Sequence, residues 1–153
     1  WEDAVEFCKK LSEKCGKEVK LPTEPQWEYA CRAGTKTPFN TGENISTDQA
    51  NFDGRTPFGN GKKGIFREKT LEVGSFASNE LGLFDMHGNV MEWCWSGEYD
   101  GDEFTSYPCP ATRGGSWRSE AKDCSSSDRT SGLPGAISAD YGFRIIVMLP
   151  KAP

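Results

Sequence analysis

The sequence has no long apolar run and no basic cluster, and both absences narrow the function classes. Hydrophobic residues make up 35% of the 153 residues, and no stretch approaches the roughly 18 apolar residues that a membrane-spanning helix requires. The 18 Lys and Arg residues are scattered among 23 Asp and Glu residues, which gives a formal net charge of −5. Because nucleic acids and anionic membranes bind basic surfaces, we expect neither as a partner.

Metal-binding patterns are also missing. The six cysteines show no C-x-x-C spacing, and they are too few for a disulfide scaffold of this length. His87 is the only histidine, which excludes a site built from several histidines. We therefore expect most cysteines to be small buried hydrophobes, and we expect His87 to be a turn residue that bonds its neighbours.

What the sequence does have is glycine, proline and aromatic rings. It contains 17 Gly and 9 Pro, with 5 Trp, 9 Phe and 4 Tyr. This composition predicts one loop-rich domain over residues 1–153, with short regular elements and a core made of a few large rings.

The first third of the chain predicts two helices and a long loop. Residues 1–15 carry an apolar stripe of helical period. Thr23 and Gln26 form a capping-box pattern for a second helix, which Gly34 would end. Residues 35–69 are polar but carry single aromatic residues, which predicts an ordered loop anchored in the core.

The densest motif is GLFDMHGNVMEWCW at residues 82–95, which predicts a tight turn followed by a strand. Alternation from Val90 places Met91 and Trp93 on one face of that strand and Glu92 on the other. RGGSW at residues 113–117 predicts a strand with a bulge or a close backbone approach. The apolar run at residues 142–148 predicts a strand buried on both faces.

Four motifs together resemble the formylglycine-generating-enzyme family, also called sulfatase-modifying factors. They are LPTEPQWEYA at residues 21–30, GLFDMHGNVMEW at 82–93, RGGSW at 113–117 and GFR at 142–144. The resemblance implies an α+β, C-type-lectin-like fold with two helices, a small twisted antiparallel sheet and much irregular loop. The family's usual N-terminal strands have no counterpart in this sequence.

The resemblance also bears on catalysis. Family members that oxidise a substrate cysteine to formylglycine bind Cu(I) through two cysteines, since soft thiolates suit that ion. Cys124 matches the first of these positions, but Arg129 occupies the second. We therefore expect no copper and no oxidase activity, and the alternative is an oxidase or an accessory to one.

A calcium site is the cofactor that the resemblance implies. The family's ligand pattern matches Asp85, Gly88, Val90 and Glu92, and calcium favours such oxygen ligands. The alternative is that Asp85 caps the turn and Glu92 accepts backbone N–H bonds without any metal.

Within the same fold class, the chain resembles the variable proteins of diversity-generating retroelements, in which adenine-directed mutagenesis rewrites asparagine codons. The chain has no Asn after Asn89. At the positions where relatives often carry Asn, this chain has residue types that are each reachable from an Asn codon by replacing adenines: Ser119, Asp123, Thr130, Ser131, Gly132, Ser138, Ala139, Asp140 and Tyr141. Arg118 also fits, whereas Glu120 would need another starting codon.

Residues 96–141 are thus interpreted as a variable ligand-binding segment of a non-catalytic protein. Short polar and Tyr side chains on a rigid base give adaptable contacts, as in antibody loops. The candidate contact residues are Ser96, Glu98, Tyr99, Arg118, Ser119, Glu120, Asp123, Asp128, Thr130, Ser131, Ser138, Asp140 and Tyr141.

Two alternatives stay open for this segment: a plain solvated loop, or an envelope interaction module without variability. The resemblance implies a protein or surface ligand and a place at the cell surface or in the periplasm of a bacterium. The oligomeric state stays open.

Overall fold

The computed structural model describes residues 1–95 and 110–148. Within these residues the chain forms two α-helices, six short strands and one 3-10 helix, joined by long irregular loops. The elements are α1 (Glu2–Cys15), β1 (Val19–Lys20), α2 (Glu24–Arg32), β2 (Met91–Cys94), β3 (Ala111–Arg113), the 3-10 helix (Ala121–Cys124), β4 (Arg129–Ser131), β5 (Tyr141–Phe143) and β6 (Ile146–Val147). The predicted α+β class with two helices is confirmed. Neither described helix is both long and apolar enough to cross a membrane.

Local sequence signals set the ends of α2. The Thr23 side chain accepts a bond from the Gln26 backbone N–H at 3.3 Å, and the Gln26 side chain accepts one from the Thr23 N–H at 2.9 Å. This reciprocal pair satisfies two amide groups that the first turn leaves unbonded, so the predicted capping box is confirmed. The helix ends at Ala33, in the left-handed conformation, one residue before the predicted glycine.

The main sheet has four strands in the order β4-β3-β2-β5. β2, β3 and β4 pair antiparallel, whereas β5 runs parallel to β2. The sheet is therefore mixed rather than purely antiparallel. The connection between β4 and β5 carries the chain past β3 and β2, so these two strands lie at opposite edges of the sheet.

The two helices cover opposite faces of this sheet, as the alternation along β2 predicts. Trp93 packs with Ala4 and Cys8 of α1, and Cys94 packs with Trp27 and Cys31 of α2. Because alternate residues of a strand point to opposite faces, one four-residue strand contributes to both cores.

The prediction of one strand over residues 142–148 is wrong. β5 and β6 are separate, and β6 pairs with β1 in a second, two-stranded sheet. Arg144 lies between them and turns its guanidinium onto Glu92, which ends the pairing with β2. Ile145 and Val147 are more than one third exposed, so the run is not buried on both faces.

The loop over residues 35–69 is anchored in a core cluster by its aromatic residues, as predicted. Phe39 and Phe52 are almost fully buried and cluster with Ala121 and Cys124 of the 3-10 helix. The backbone N–H of Asp53 also donates to a backbone oxygen of the 116–131 segment at 2.9 Å. The long loop thus packs against residues 116–131, which we call the polar segment.

Candidate functional site

The glycine pair after β3 brings the 3-10 helix against the sheet. Gly114 and Gly115 adopt φ values of 89° and 68°, which side chains with a Cβ resist. A Cβ on Gly115 would lie 2.5 Å from the sulfur of Cys124, and a Cβ on Gly114 would lie 2.9 Å from the Trp27 ring. The pair is therefore a close backbone approach, one of the two predicted alternatives.

Buried residues hold the polar segment at intervals. Ser116, Ala121, Cys124 and Ser126 are each fully buried. The backbone N–H of Ser126 donates to the carbonyl of Pro38 at 2.8 Å, which fastens the segment to the long loop. None of these four residues is among the candidate contacts.

Nine of the ten candidate residues that the structure describes reach solvent. Arg118, Thr130 and Ser131 are exposed, and Ser119, Glu120, Asp123, Asp128, Ser138 and Tyr141 are half-buried. The other three, Ser96, Glu98 and Tyr99, lie outside the described residues.

Asp140 is the candidate that the structure places differently. Its side chain is buried, and its carboxylate accepts bonds from the hydroxyls of Ser138 and Ser116. Its carbonyl also accepts a bond from the Met91 N–H at 2.8 Å. Asp140 thus links the segment to β2 and lies 3.7 Å from the Arg118 guanidinium. It positions Arg118 and has no exposed surface for a ligand.

The candidates do not form a single cluster. Thr130 and Ser131 lie on edge strand β4, whereas Tyr141 lies on β5, where its ring packs 4.8 Å from that of Trp93. Three interstrand spacings separate these edges, or about 14 Å. Arg118 lies on the Tyr141 side because it neighbours Asp140.

An aromatic stack beside Arg118 is a feature that the sequence did not predict. The Phe66 and Trp117 rings stack at 6.0 Å, with the Arg55 guanidinium 4.4 Å from the Phe66 ring and that of Arg118 4.5 Å from Trp117. We call these four residues the Arg–aromatic stack. Two of its members come from the long loop, about 50 residues away in sequence, so no local signal could reveal it.

A cleft of about 580 Å³ opens on the α2 side of the sheet, lined by Glu24, Pro25, Glu28 and Arg113. Arg113 is buried and donates to Glu28 at 2.6 Å and to the Ser126 carbonyl at 2.7 Å. Burial raises the pKa of Glu28, but bonds from arginines outweigh it, so the pKa lies below its ordinary value. The charges of the cleft thus largely neutralise one another.

His87 has the structural role that the sequence predicts. Its Nε2 accepts a bond from the Asn40 backbone N–H at 3.0 Å, so the proton lies on Nδ1, which donates to the Cys124 carbonyl at 2.7 Å. Burial lowers the pKa of His87 to about 4. The ring is therefore neutral near pH 7. It connects the turn that contains His87 to the long loop and to the 3-10 helix.

The two positions that match the copper ligands do not fit that ion. Cys124 is fully buried, and burial raises the pKa of its thiol. Arg129 donates to both carboxylate oxygens of Glu24, at 2.9 and 3.2 Å. A guanidinium thus occupies the second position, and a guanidinium cannot ligate copper.

Glu92 does not fit a calcium ligand in this arrangement. Both of its oxygens accept bonds from Arg144, and one also accepts a bond from the Trp27 indole at 2.7 Å. Asp85 accepts a bond from the Gly74 N–H at 2.7 Å, so its carboxylate holds a loop eleven residues earlier rather than capping its own turn. Over residues 1–95 and 110–148, no three His, Cys, Asp or Glu side chains converge on a possible metal position.

The other two residues of the calcium pattern have structural contacts. Gly88, with φ 77°, donates its N–H to the Gly114 carbonyl at 2.7 Å. Val90 is half-buried and packs closely against Gly142 of β5. Calcium binding stays a prediction, which isothermal titration calorimetry would test.

Helices on both faces of a small mixed sheet, with long loops anchored by aromatic residues, define a C-type-lectin-like domain of the formylglycine-generating type. A family model for the sulfatase-modifying factor enzyme 1-like domain matches residues 1–149. The chain belongs to this family.

Its relatives carry different names. The serine/threonine-protein kinase pkn1 of Chlamydia caviae is 37% identical over 139 residues, which cover 82% of this chain and 20% of the kinase. The mouse formylglycine-generating enzyme is 28% identical over 162 residues, covering 94% of this chain and 41% of the enzyme.

Solved structures with both similar sequence and similar fold include one of a variable protein. The Treponema denticola variable protein 1 has a TM-score of 0.64 and 30% identity, covering 84% of this chain and 47% of that protein. The chain therefore spans between a fifth and about half of the length of these three proteins.

Proposed function

We propose that this chain is a non-catalytic ligand-binding protein that displays a sequence-variable face on a C-type-lectin scaffold. One observation carries the proposal: within residues 116–131, fully buried anchors alternate with candidate contact residues that reach solvent. Contact residues can then change without disturbing the anchors. This is the property that a diversified binding surface needs.

The similarity to the Treponema denticola variable protein supports this proposal, because that protein is named for its variability. The residue types in the segment support it as well, since most are reachable from Asn codons by adenine replacement. The proposed ligand is a protein or another surface molecule, met at the cell surface or in the periplasm of a bacterium.

A peptide-display selection would test the proposal. Random dodecapeptides on phage would be selected against the full chain, and the enriched peptides titrated against a variant with Arg118, Glu120, Asp123, Thr130 and Ser131 all changed to Ala. We expect the enriched peptides to lose at least about tenfold in affinity, because a few central contacts dominate most interfaces.

The matched control carries Glu2, Glu6, Lys9, Lys10 and Glu13 changed to Ala on the exposed side of α1. It should retain the affinity of the native chain, and circular dichroism should show both variants folded. Peptides that bind both variants as tightly as the native chain would overturn the proposal.

An oxidase acting on a protein cysteine, or an accessory to one, is the second candidate. The observation in its favour is the similarity to the mouse formylglycine-generating enzyme. Against it stand the buried Cys124 thiol and the Arg129–Glu24 pair, which leave no thiolate pair for Cu(I). Incubating the chain with Cu(I) and a cysteine peptide should yield no formylglycine by mass spectrometry, and formation of the aldehyde would revive this candidate.

A further inference from the structure

The Arg–aromatic stack presents two cations at the ends of two stacked rings. The Arg55 side chain is 66% exposed and the Arg118 side chain 51% exposed, whereas both rings are half-buried. Aromatic and arginine side chains held in this way are typical anchors of protein interfaces. We call the candidate contact residues of the 116–131 segment that reach solvent the candidate face. The stack adjoins two of them, Ser119 and Glu120, so it extends the candidate face onto the long loop.

The two guanidinium groups differ in how their hydrogen-bond donors are used. Arg55 donates to both oxygens of Asp53, at 2.9 and 2.6 Å. Within the part of the chain that the structure describes, the Arg118 side chain makes no hydrogen bond, and its nearest carboxylate, Asp140, is 3.7 Å away. Stacking on Trp117 and attraction to buried Asp140 orient Arg118 without using its donors.

The stretch of the long loop that supplies Arg55 and Phe66 is basic in sequence. Residues 55–69 contain five Lys or Arg residues and one acidic residue, a formal net charge of +4, whereas the whole chain carries −5. Lys62 and Lys63 in this stretch are exposed. Residues 55–69 are thus a basic stretch of an acidic protein, and opposite charge on a partner would be favoured there.

We infer that the Arg–aromatic stack recognises carboxylate side chains in an acidic segment of a partner protein, and that Arg118 is the residue that binds them. An oriented guanidinium with unused donors fits a carboxylate in a two-bond fork. Nucleic acid fits less well, because a phosphate chain needs a basic surface along its length, whereas this protein carries a formal net charge of −5. The inference rests on the proposed binding function and names its ligand class.

The test uses two fluorescein-labelled dodecapeptides, one of alternating Glu and Gly and one with every Glu replaced by Gln. Anisotropy titrations at low salt should show the Glu peptide binding at least about tenfold more tightly to the native chain. Arg118→Gln should remove most of that difference. Arg118→Lys should retain part of it, because a lysine keeps the charge but loses the planar fork.

Lys10→Gln is the control variant, since it removes one exposed cation on α1 and should change the affinity less than twofold. Equal binding of the two peptides, no binding of either, or unchanged binding by Arg118→Gln would overturn the inference. Tighter binding of a 20-nucleotide poly-dT strand than of the Glu peptide would also overturn it, in favour of a nucleic acid.

Failure of this inference can be told from failure of the proposed function. Phage-selected peptides that depend on the candidate face, but have no excess of acidic residues and tolerate Arg118→Gln, would leave the binding function standing and refute the carboxylate assignment. Selected peptides that ignore the candidate face would refute both.

Discussion

The two sides of the segment over residues 116–131 follow opposite rules. On the inner side, Ser116, Cys124 and Ser126 have no exposed surface, and the backbone bonds to the long loop. On the outer side, Thr130 and Ser131 are exposed on an edge strand. Under the proposed function, this difference assigns stability and recognition to different residues of one short segment.

This division has an energetic consequence. Buried polar groups are costly to leave unbonded, so changes on the inner side should destabilise the fold. Truncating an exposed polar side chain on the outer side should change the free energy of unfolding little. If substitutions on the two sides lowered the free energy of unfolding equally, the distinction between the inner and outer sides would be wrong.

The largest expected effect is on the buried ion pair under β2. Glu92→Gln removes the charged partner of Arg144, whose side chain is only 23% exposed. An unpaired buried guanidinium should lower the free energy of unfolding by about 4 kcal/mol. Urea denaturation would measure it. Glu18→Gln breaks the exposed pair with Lys20 and should cost less than about 0.5 kcal/mol. Equal losses for the two variants would contradict the assignment.

A smaller loss is expected at the glycine pair. Gly115→Ala would place a Cβ 2.5 Å from the Cys124 sulfur at a positive φ. Left-handed strain and overpacking together should cost about 3 kcal/mol. Gly135→Ala is the matched control, because nothing lies within 4 Å of its Cβ position. A normal melting temperature for Gly115→Ala would show that the inner side is not tightly fixed.

His87 should make the inner side sensitive to acid. Its pKa is lowered to about 4, so between pH 6.5 and 4 the unfolded chain binds more protons than the folded chain. The contribution of His87 to stability is thus complete above pH 6.5 and is lost as the pH falls, by about 2.5 kcal/mol at pH 4.5. His87→Asn should flatten the pH dependence of urea denaturation between pH 7 and 4.5. Parallel curves for the native chain and the variant would refute this.

The sequence predicted the features that depend on neighbours along the chain. The capping box of α2 spans four residues, and so does the alternation along β2, so both could be identified without a structure. The turn at Gly88 was equally visible, because its glycine and polar residues are contiguous. The scaffold of the candidate site was therefore largely predictable.

Features that depend on distant partners were not predictable. The apolar run after Tyr141 is interrupted at Arg144, whose guanidinium donates to Glu92. Glu92 lies 52 residues earlier in the chain, so no local pattern predicts this contact. Asp140 is buried because it bonds with Ser116, 24 residues away. The sequence indicates only that Asp140 is a polar residue of the segment, so its burial on the inner side requires the structure.

The smallest expected effect gives the sharpest test, because it compares two threonines that lie opposite each other. Thr112 and Thr130 are register partners in β3 and β4, but Thr112 is 1% exposed and Thr130 is exposed. Thr112→Ala removes a buried hydroxyl that donates to the Thr130 carbonyl at 3.4 Å and should cost about 1 kcal/mol. Thr130→Ala leaves that carbonyl in place and should change the free energy of unfolding by less than about 0.5 kcal/mol. Urea denaturation of both variants would measure the difference. A Thr130→Ala loss as large as that of Thr112→Ala would mean that β4 belongs to the scaffold, and that the candidate face is smaller than proposed.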